Sequence, residues 1–536
     1  LGMAALACAI GLTVKYGSTY RPVVEPVREI EEIWALEDAR EESGEPLVTR
    51  LFCNGVPMAY DAENNVFYGS LGLENGAQWP EIKLTASEET AKGLSLCFAD
   101  DYGFDDCDAA IREGYSYQIF AYTDTAYSYA EVVFTGLPLV NVTADQTIER
   151  EDVPAQIEIA LAAEGLQTNG RIHKRGGASI LNDKVGYKLE FTRTTDGKKK
   201  IYREIPGMGT DSQVILLPMN ALDTTMMRDR LSWALYARLT RRDETFSARK
   251  TQYCELFLNG EYRGVYLMLE PFSVRQEVAK AGEERLTTDS VYRTAVISLS
   301  HGRPCMEDPY SAATGFELYY PMDGEPDFSP LADYFALLGE TDDAAFMRRA
   351  AQIIDLDSAL RYDVVLQLFG LTDNVINNMY TWAQNSRGHT RYRFDFWDLD
   401  VSWGLKRDEI GEMHENWVFF PLVDRLLRAD EEGGVRQRYG EIYREVREKA
   451  FDTETVEALV GQYAHELNDS GAMARNAERW ETENYAADGY ELVAFAAERI
   501  ALLDEPVRAM SAGEEIDLRF LEKTNYDDKG TPLSEE

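Results

Sequence analysis

The pattern of apolar and polar positions divides the chain into two unlike stretches. From Pro46 to about Val142 the two kinds alternate over short runs, as in Leu47–Phe52, Ile82–Thr85, Leu94–Phe98 and Ala130–Phe134, with polar turns between. Period-two alternation bounded by turn residues predicts half-buried strands, and their spacing predicts a small all-β sandwich over residues 46–148. After the charged run Glu149–Asp152 both periods occur. Ile157–Leu161 and Tyr187–Phe191 read as strands. Met227, Leu231, Leu235 and Leu239 recur at helical spacing behind Asp223, a residue suited to cap the helix start. Thr251–Leu258 and Tyr262–Glu270 flank Asn259-Gly260, a dipeptide that tolerates the positive φ angles of a tight hairpin turn. A helix over 356–370 carries an apolar stripe at Leu360, Val364 and Leu368. Beyond Gly404 the spacing predicts helices near 420–428, 435–450, 453–468 and 491–510. The fold class is α+β, with a second domain over 149–512 and an acidic tail over 513–536.

Leu1–Val14 is apolar apart from Thr13 and small residues, and is too short to span a bilayer alone. It reads as the remnant of a signal peptide or membrane anchor, which places the protein outside the cytoplasm, secreted or membrane-anchored. Residues 15–45 read as a linker in which 29–42 form a helical tether. The net charge of −40 argues against nonspecific nucleic-acid binding and against adhesion to anionic lipid, both of which need basic surfaces. Six cysteines form no Cys-x-x-Cys pair, which disfavours a zinc cluster. Cys53, Cys97 and Cys107 share the first domain and are candidates for one disulfide in an exported protein, whereas Cys254 reads as a small buried hydrophobe. Tyr115, Tyr117, Tyr122, Tyr127 and Tyr129 cluster on the predicted sandwich, where tyrosines either cover a half-buried sheet or bind a glycan.

The chemistry concentrates in residues 373–404. Asp373 is followed five positions later by Asn378, which opens a short strand, and a second strand containing Tyr392, Phe394 and Phe396 delivers Asp398 and Asp400 at its end. Phosphoryl transfer needs one carboxylate to orient a hydroxyl, and an amide oxygen with a second carboxylate to hold metal on the phosphates. The spacing from Asp373 to Asn378 equals that of a protein-kinase catalytic loop. Asn377 competes with Asn378 for the amide role, and Asp400 with Asp398 for the carboxylate. Upstream, Gly176-Gly177 followed by Ser179 lets the backbone approach phosphates closely. Lys188 lies on a strand, with Tyr187, Leu189 and Phe191 on the opposite face, and Lys184 lies nearer the glycines; either suits a phosphate.

Seven phrases in order carry a resemblance. They are Arg175-Gly-Gly-Ala-Ser179, Lys184-x-x-Tyr187-Lys188-Leu-x-Phe191, Leu217-x-x-x-x-Leu-Asp223-x-Thr225-x-x-Arg228, Glu255-Leu-Phe-Leu-Asn259-Gly-Glu-Tyr-Arg-Gly264-Val-Tyr266-Leu-x-x-Glu270, Trp397-Asp-Leu-Asp400-x-x-x-Gly404, Pro421-Leu-x-x-Arg425-Leu-Leu and Arg475-x-x-x-Arg479-Trp480. With the Asp373 loop, they make residues 150–510 resemble the spore coat protein H (CotH) kinase-like family. The resemblance implies a bilobal atypical protein kinase that uses ATP with Mg2+ or Mn2+ on a hydroxyl of a secreted, coat or surface protein. It implies Asp373 and Lys188 as catalytic residues. Gly176, Gly177, Ser179, Lys184, Lys188, Glu270 and Phe272 would border the nucleotide, and Asn378, Asp398 and Asp400 would hold metal. Two departures stand out. Leu371-Thr372 replaces the usual His-Arg before the catalytic Asp, and the helix after Asp223 has no Glu to anchor a lysine, Asp229 being the nearest substitute. They keep a noncatalytic kinase-like scaffold, or a glycan- or wall-binding surface protein, as the alternatives.

Overall fold

The structure is a computed structural model describing residues 24–25, 30–72, 82–87, 93–98, 111–176, 178–194, 196–219, 223–239, 248–273, 289–294, 315–321, 325, 327–386, 389–405, 417–418 and 420–514. The apolar stretch 1–14, Cys107, Gly177 and the tail from 515 onward lie outside the described residues. Among the described residues no helix is long and apolar enough to cross a membrane.

The first module is built from two sheets. The larger runs in the order Val24–Glu25, Ser95–Phe98, Ser116–Tyr122, Ala126–Thr135, Val66–Ser70, Ala59–Asp61, and the smaller in the order Val56–Pro57, Leu51–Cys53, Leu84–Ala86. Apolar side chains of both, including Leu51, Phe67, Leu84, Leu96, Ile119 and Phe134, share one core. The segment expected as a tether is instead part of this module. Its helix Ile30–Asp38 buries Ile33 completely against Cys97 and Phe120, with Tyr122, Tyr127 and Tyr129 packed around them. Tyr129 donates its hydroxyl to Glu37 at 2.7 Å. Those tyrosines therefore hold the helix on the sheet. Cys53, Cys97 and Cys254 are buried free thiols, so no Cys53–Cys97 disulfide forms.

The next unit is a closed barrel of seven strands: β1 (Leu139–Thr143), β2 (Val153–Leu161), β3 (Glu164–Arg175), β4 (Gly186–Thr192), β5 (Gln213–Leu217), β6 (Thr251–Leu258) and β7 (Glu261–Leu269), in the order β1-β2-β3-β4-β5-β7-β6. The expected domain boundary at 148/149 falls after β1, yet β1 pairs antiparallel with β2 and closes the barrel by pairing parallel with β6. Asn259 and Gly260 sit at positive φ in the β6–β7 turn, as their chemistry requires. Val140, Ile157, Leu189, Phe191, Leu216, Tyr266 and Met268 fill the interior. Strands β5 and β7 face a second core on their outer side, through Ile215, Leu217, Leu267 and Leu269. Burial on both faces explains why they read as continuous apolar runs rather than alternating ones.

That second core is the largest. It joins α1 (Arg228–Ala237), a four-stranded sheet and a set of C-terminal helices. The sheet consists of β8 (Ser290–Thr294), β9 (Phe316–Tyr320), β10 (Met379–Ser386) and β11 (His389–Phe396), in the order β9-β8-β10-β11. Around it lie α2 (Ala332–Leu338), α3 (Asp343–Ile353), α4 (Leu356–Phe369), the single turn α5 (Asp373–Ile376), α6 (Pro421–Arg428), α7 (Gly434–Lys449), α8 (Thr453–Asp469), α9 (Ala472–Trp480) and α10 (Tyr490–Ser511). Asp355 caps α4 by accepting the Ser358 N–H at 3.2 Å, a contact that satisfies one of the otherwise unpaired donors of a helix start.

One buried junction ties the three units together. Glu255 on β6 is fully buried and accepts two hydrogen bonds from Arg475 Nη2 of α9, at 2.7 and 2.8 Å, and one from the Tyr262 hydroxyl at 2.8 Å. The Arg475 guanidinium in turn lies over the first module's Tyr68 ring, 5.5 Å from its centroid. Gly264 makes the same contact surface close. At φ +88° it lets β7 approach α9, and a Cβ there would fall 2.4 Å from Asn476 Oδ1.

Candidate active site

Strands β10 and β11 pair antiparallel in a register that sets Met379 opposite Phe396, so the residues just outside the pair, Asn378 and Trp397, meet at its end. The Trp397 N–H donates to the Asn378 carbonyl at 3.0 Å. Asn374, fully buried on α5, donates its amide to the Trp397 carbonyl at 2.7 Å and clamps the single turn to the same strand end. Both Asn378 and Asp398 have φ +58°, a left-handed conformation that Asn and Asp adopt more readily than other side-chain-bearing residues. Asp373 is 3 % exposed, and its two oxygens accept the Asn377 amide at 3.1 Å and the Asn378 amide at 2.8 Å. Asp373 and Asn378 are thus directly bonded, and Asp398 follows the residue that is bonded to Asn378. Asn377 is committed to Asp373 as well, so the two asparagines share one task. Asp400 is half-buried two residues further along the loop.

Basic groups flank this cluster from two sides. Arg175, the last residue of β3, lies over the Trp397 ring at 5.9 Å from its centroid. Arg293 of β8 is within electrostatic reach of Asp398 and bonds Glu317 at 2.6 Å. Neither arginine was singled out from the sequence, although Arg175 opens the glycine phrase and that adjacency was the available signal.

The remaining sequence-predicted residues separate. Gly176 has φ +129°, and a Cβ there would fall 2.3 Å from Ser179 Oγ, so this turn needs glycine. Ser179 lies in the short 3-10 turn Ala178–Leu181 under that glycine. Lys188 is half-buried on β4, opposite His173 of β3. Burial and the nearby charge of Lys200 pull its ammonium below the ordinary lysine range, and Arg175 is among its neighbours. It therefore shares a side of the barrel with the arginine that reaches Trp397. Lys184 does not. Its ammonium donates to the Val265 carbonyl at 2.6 Å and to Asn476 Oδ1 at 2.8 Å, and it lies 4.9 Å from the Tyr266 ring centroid. Burial pushes it down to about 7, and its titratable neighbours are the Cys254 thiol and the Arg263 guanidinium. Lys184 joins the barrel to α9. Glu270 follows β7, and its carboxylate accepts the Lys250 N–H at 3.1 Å. Phe272 is buried, stacked on Tyr380 with ring centroids 4.2 Å apart, and its carbonyl accepts the Tyr319 hydroxyl at 2.9 Å.

Asp229 occupies a place the sequence did not suggest. It lies in the first turn of α1, only 3 % exposed, and faces the Asp398 carboxylate and the Leu399 N–H, not a lysine. Burial first, and then the Asp398 charge, push its carboxyl up to about 8. The Trp233 indole N–H, one turn further along α1, also faces this carboxyl. The neighbouring Arg228 holds the helix start to the same loop, bonding Asp223, Glu491 and, at 3.1 Å, the Ser402 carbonyl. The helix starts later than expected, with Met227 and not Asp223 at its N-cap, and Asp223 instead reaches forward from the preceding turn to accept the Arg228 backbone N–H at 3.2 Å.

The family model described as CotH kinase protein matches residues 172–503, more than half of the chain. The chain belongs to the CotH kinase family. The match spans β3 to α10 and includes every residue of the cluster described above. No curated protein matches the chain. Membership makes the chain kinase-like, and kinases in general use ATP with a divalent metal. Among the described residues no three His, Cys, Asp or Glu side chains converge as a metal centre. The set present is different and fits such a cation: Asn378, Asp398 and Asp400 all offer hard oxygen donors. Mg2+ and Mn2+ favour such donors and complete their shell with waters and phosphate oxygens.

Proposed function

We propose that the chain is an ATP-dependent protein kinase acting on a hydroxyl of a secreted or surface protein, with its chemistry at Asp373, Asn378 and Asp398. The observation that supports this most is the Asp373 carboxylate, held by two asparagine amides beside the end of the β10–β11 pair. The two bonds fix the orientation of this carboxylate. It orients an acceptor hydroxyl and takes up its proton. Donating its amide N–H to Asp373 leaves the Asn378 Oδ1 for a cation, which Asp398 shares and Asp400 assists. Arg175 and Lys188 would steady the phosphates, with the turn at Gly176 giving close backbone approach. ATP and a divalent cation, when bound, supply the phosphoryl group and neutralise its charge. The barrel and the helical core would act as the two lobes of a bilobal kinase-like domain, with the first module placing it at the target, extracytoplasmic and secreted or membrane-tethered.

A second reading is a noncatalytic kinase-like scaffold. It is favoured by Lys184 being committed to Val265 and Asn476, and by Asp229 facing Asp398, so that neither makes the lysine–acid pair of ordinary protein kinases. Incubation with γ-labelled ATP, Mg2+ or Mn2+ and a generic protein acceptor separates the two. Label transferred by the wild type and lost in Asp373→Ala and Asp398→Ala supports the kinase. No transfer, or equal transfer by the variants, refutes the assignment.

A further inference from the structure

We infer that the outer face of β3 and β4, with the turn that follows β4, is a docking track for a carboxylate-rich segment of the acceptor protein. Naming the partner as the acceptor rests on the reading above, whereas the binding itself does not. Residues 171–203 hold ten Lys and Arg against three Asp and Glu, in a chain where acids outnumber bases 94 to 54. The barrel turns much of this charge outward. Ile172, Tyr187, Leu189 and Phe191 fill its interior, so Arg171, His173 and Arg175 of β3 and Lys188 of β4 alternate onto the outer face. The inner end of the track is Arg175, over the Trp397 ring, with Lys188 nearby on the next strand. Ile215, opposite Lys188, packs into the helical core, so this end opens at the junction of the two units. In the middle, Glu190 and Asp152 are bonded to Arg171, His173 and Lys200. At the outer end Arg193, Lys198 and Lys199 stand exposed. Lys198 meets Asp196 at 3.2 Å, while among the described residues Arg193 and Lys199 have no ion-pair partner. Arg193 lies roughly 17 Å along β4 from Lys188, so an extended segment of about five residues bridges the two ends. Two observations select its chemistry. The rest of the chain carries a large excess of acid and repels an acidic segment everywhere except here. Lysines predominate among the exposed donors and suit single carboxylates, while the Arg171 fork, the geometry that suits phosphate, is already engaged by Glu190 and Asp152.

The test uses the full chain without nucleotide or metal, and a fluorescein-labelled peptide of alternating Glu and Ser as the probe. Fluorescence anisotropy reads its binding at low and at physiological salt. The wild type should bind the peptide, and more weakly as salt rises. The triple variant Arg193→Gln/Lys198→Gln/Lys199→Gln removes three exposed charges. It should weaken binding about tenfold or more and leave the melting temperature unchanged. Equal affinity in wild type and variant, or a wild type that does not bind, overturns the inference. A phosphoserine peptide or an oligouridine that binds this face at least tenfold more tightly also overturns it, by assigning the face to another class of anion. So does a wild-type dimer in sedimentation velocity that the triple variant abolishes, because the occupant is then a second copy of the chain. Peptide binding that depends on these three residues, in a protein that transfers no label, sinks the kinase reading alone. Label transfer by a protein with no such binding sinks the track alone.

Discussion

Replacing Asp229 with asparagine should change how the stability of the metal-free protein depends on pH. In the folded chain the Asp229 carboxyl is held at about 8, against an ordinary value of 3.8. An acid whose folded value is raised binds its proton more tightly in the native state. Its stabilising contribution is complete below pH 4 and is lost as pH rises toward 8. Within that window each pH unit costs about 1.4 kcal/mol. Between pH 5 and pH 7 the wild type should therefore lose roughly 3 kcal/mol relative to Asp229→Asn, which has nearly the same shape and cannot ionise. Urea unfolding followed by tryptophan fluorescence, in EDTA at pH 5, 6, 7 and 8, reads this difference directly. Converging or parallel curves would refute the burial argument.

Three other outcomes follow from the geometry. Arg475→Leu leaves the buried Glu255 with only the Tyr262 hydroxyl and should cost about 3–5 kcal/mol in chemical denaturation, and much of that loss should return in the Glu255→Gln/Arg475→Leu double variant. Gly264→Ala adds a Cβ 2.4 Å from Asn476 Oδ1 at positive φ, and should destabilise the barrel–α9 contact by at least about 1–2 kcal/mol, read as a lower melting temperature. Arg175→Ala should weaken ATP binding by about tenfold or more in calorimetry, as expected for loss of one charge-assisted contact, while leaving the melting temperature unchanged.

Local chemistry made several parts legible in the sequence. The Asn259-Gly260 hairpin, the strand ending at Asp398 and the helix behind Asp223 all depend on residues close together in the chain, and each formed. The proximity of Asp373 and Asn378 is likewise set by one helical turn and the strand after it. What the sequence hid was long-range. β1 reads as one more alternating strand of the first module, and only its parallel pairing with β6 makes it part of the barrel. Lys184 and Lys188 are equally plausible by spacing, and the bond from Lys184 to Asn476, far along the chain, is not visible in the sequence. The partner of Asp229 is hidden for the same reason, since it sits on a loop reached only after the whole four-stranded sheet. The short helix α2 spans only two turns, too few to show a helical period, and arginines break the apolar runs of α3 and α9.

The central claim is that Asn378 and Asp398 hold the metal of a bound nucleotide beside Asp373. Crystals grown with Mn2+ and a nonhydrolysable ATP analogue test it most directly through the anomalous signal of the ion. The account expects one strong peak in contact with Asn378 and Asp398, with the terminal phosphate toward Arg175. A nucleotide bound elsewhere, or a peak away from both residues, would contradict it.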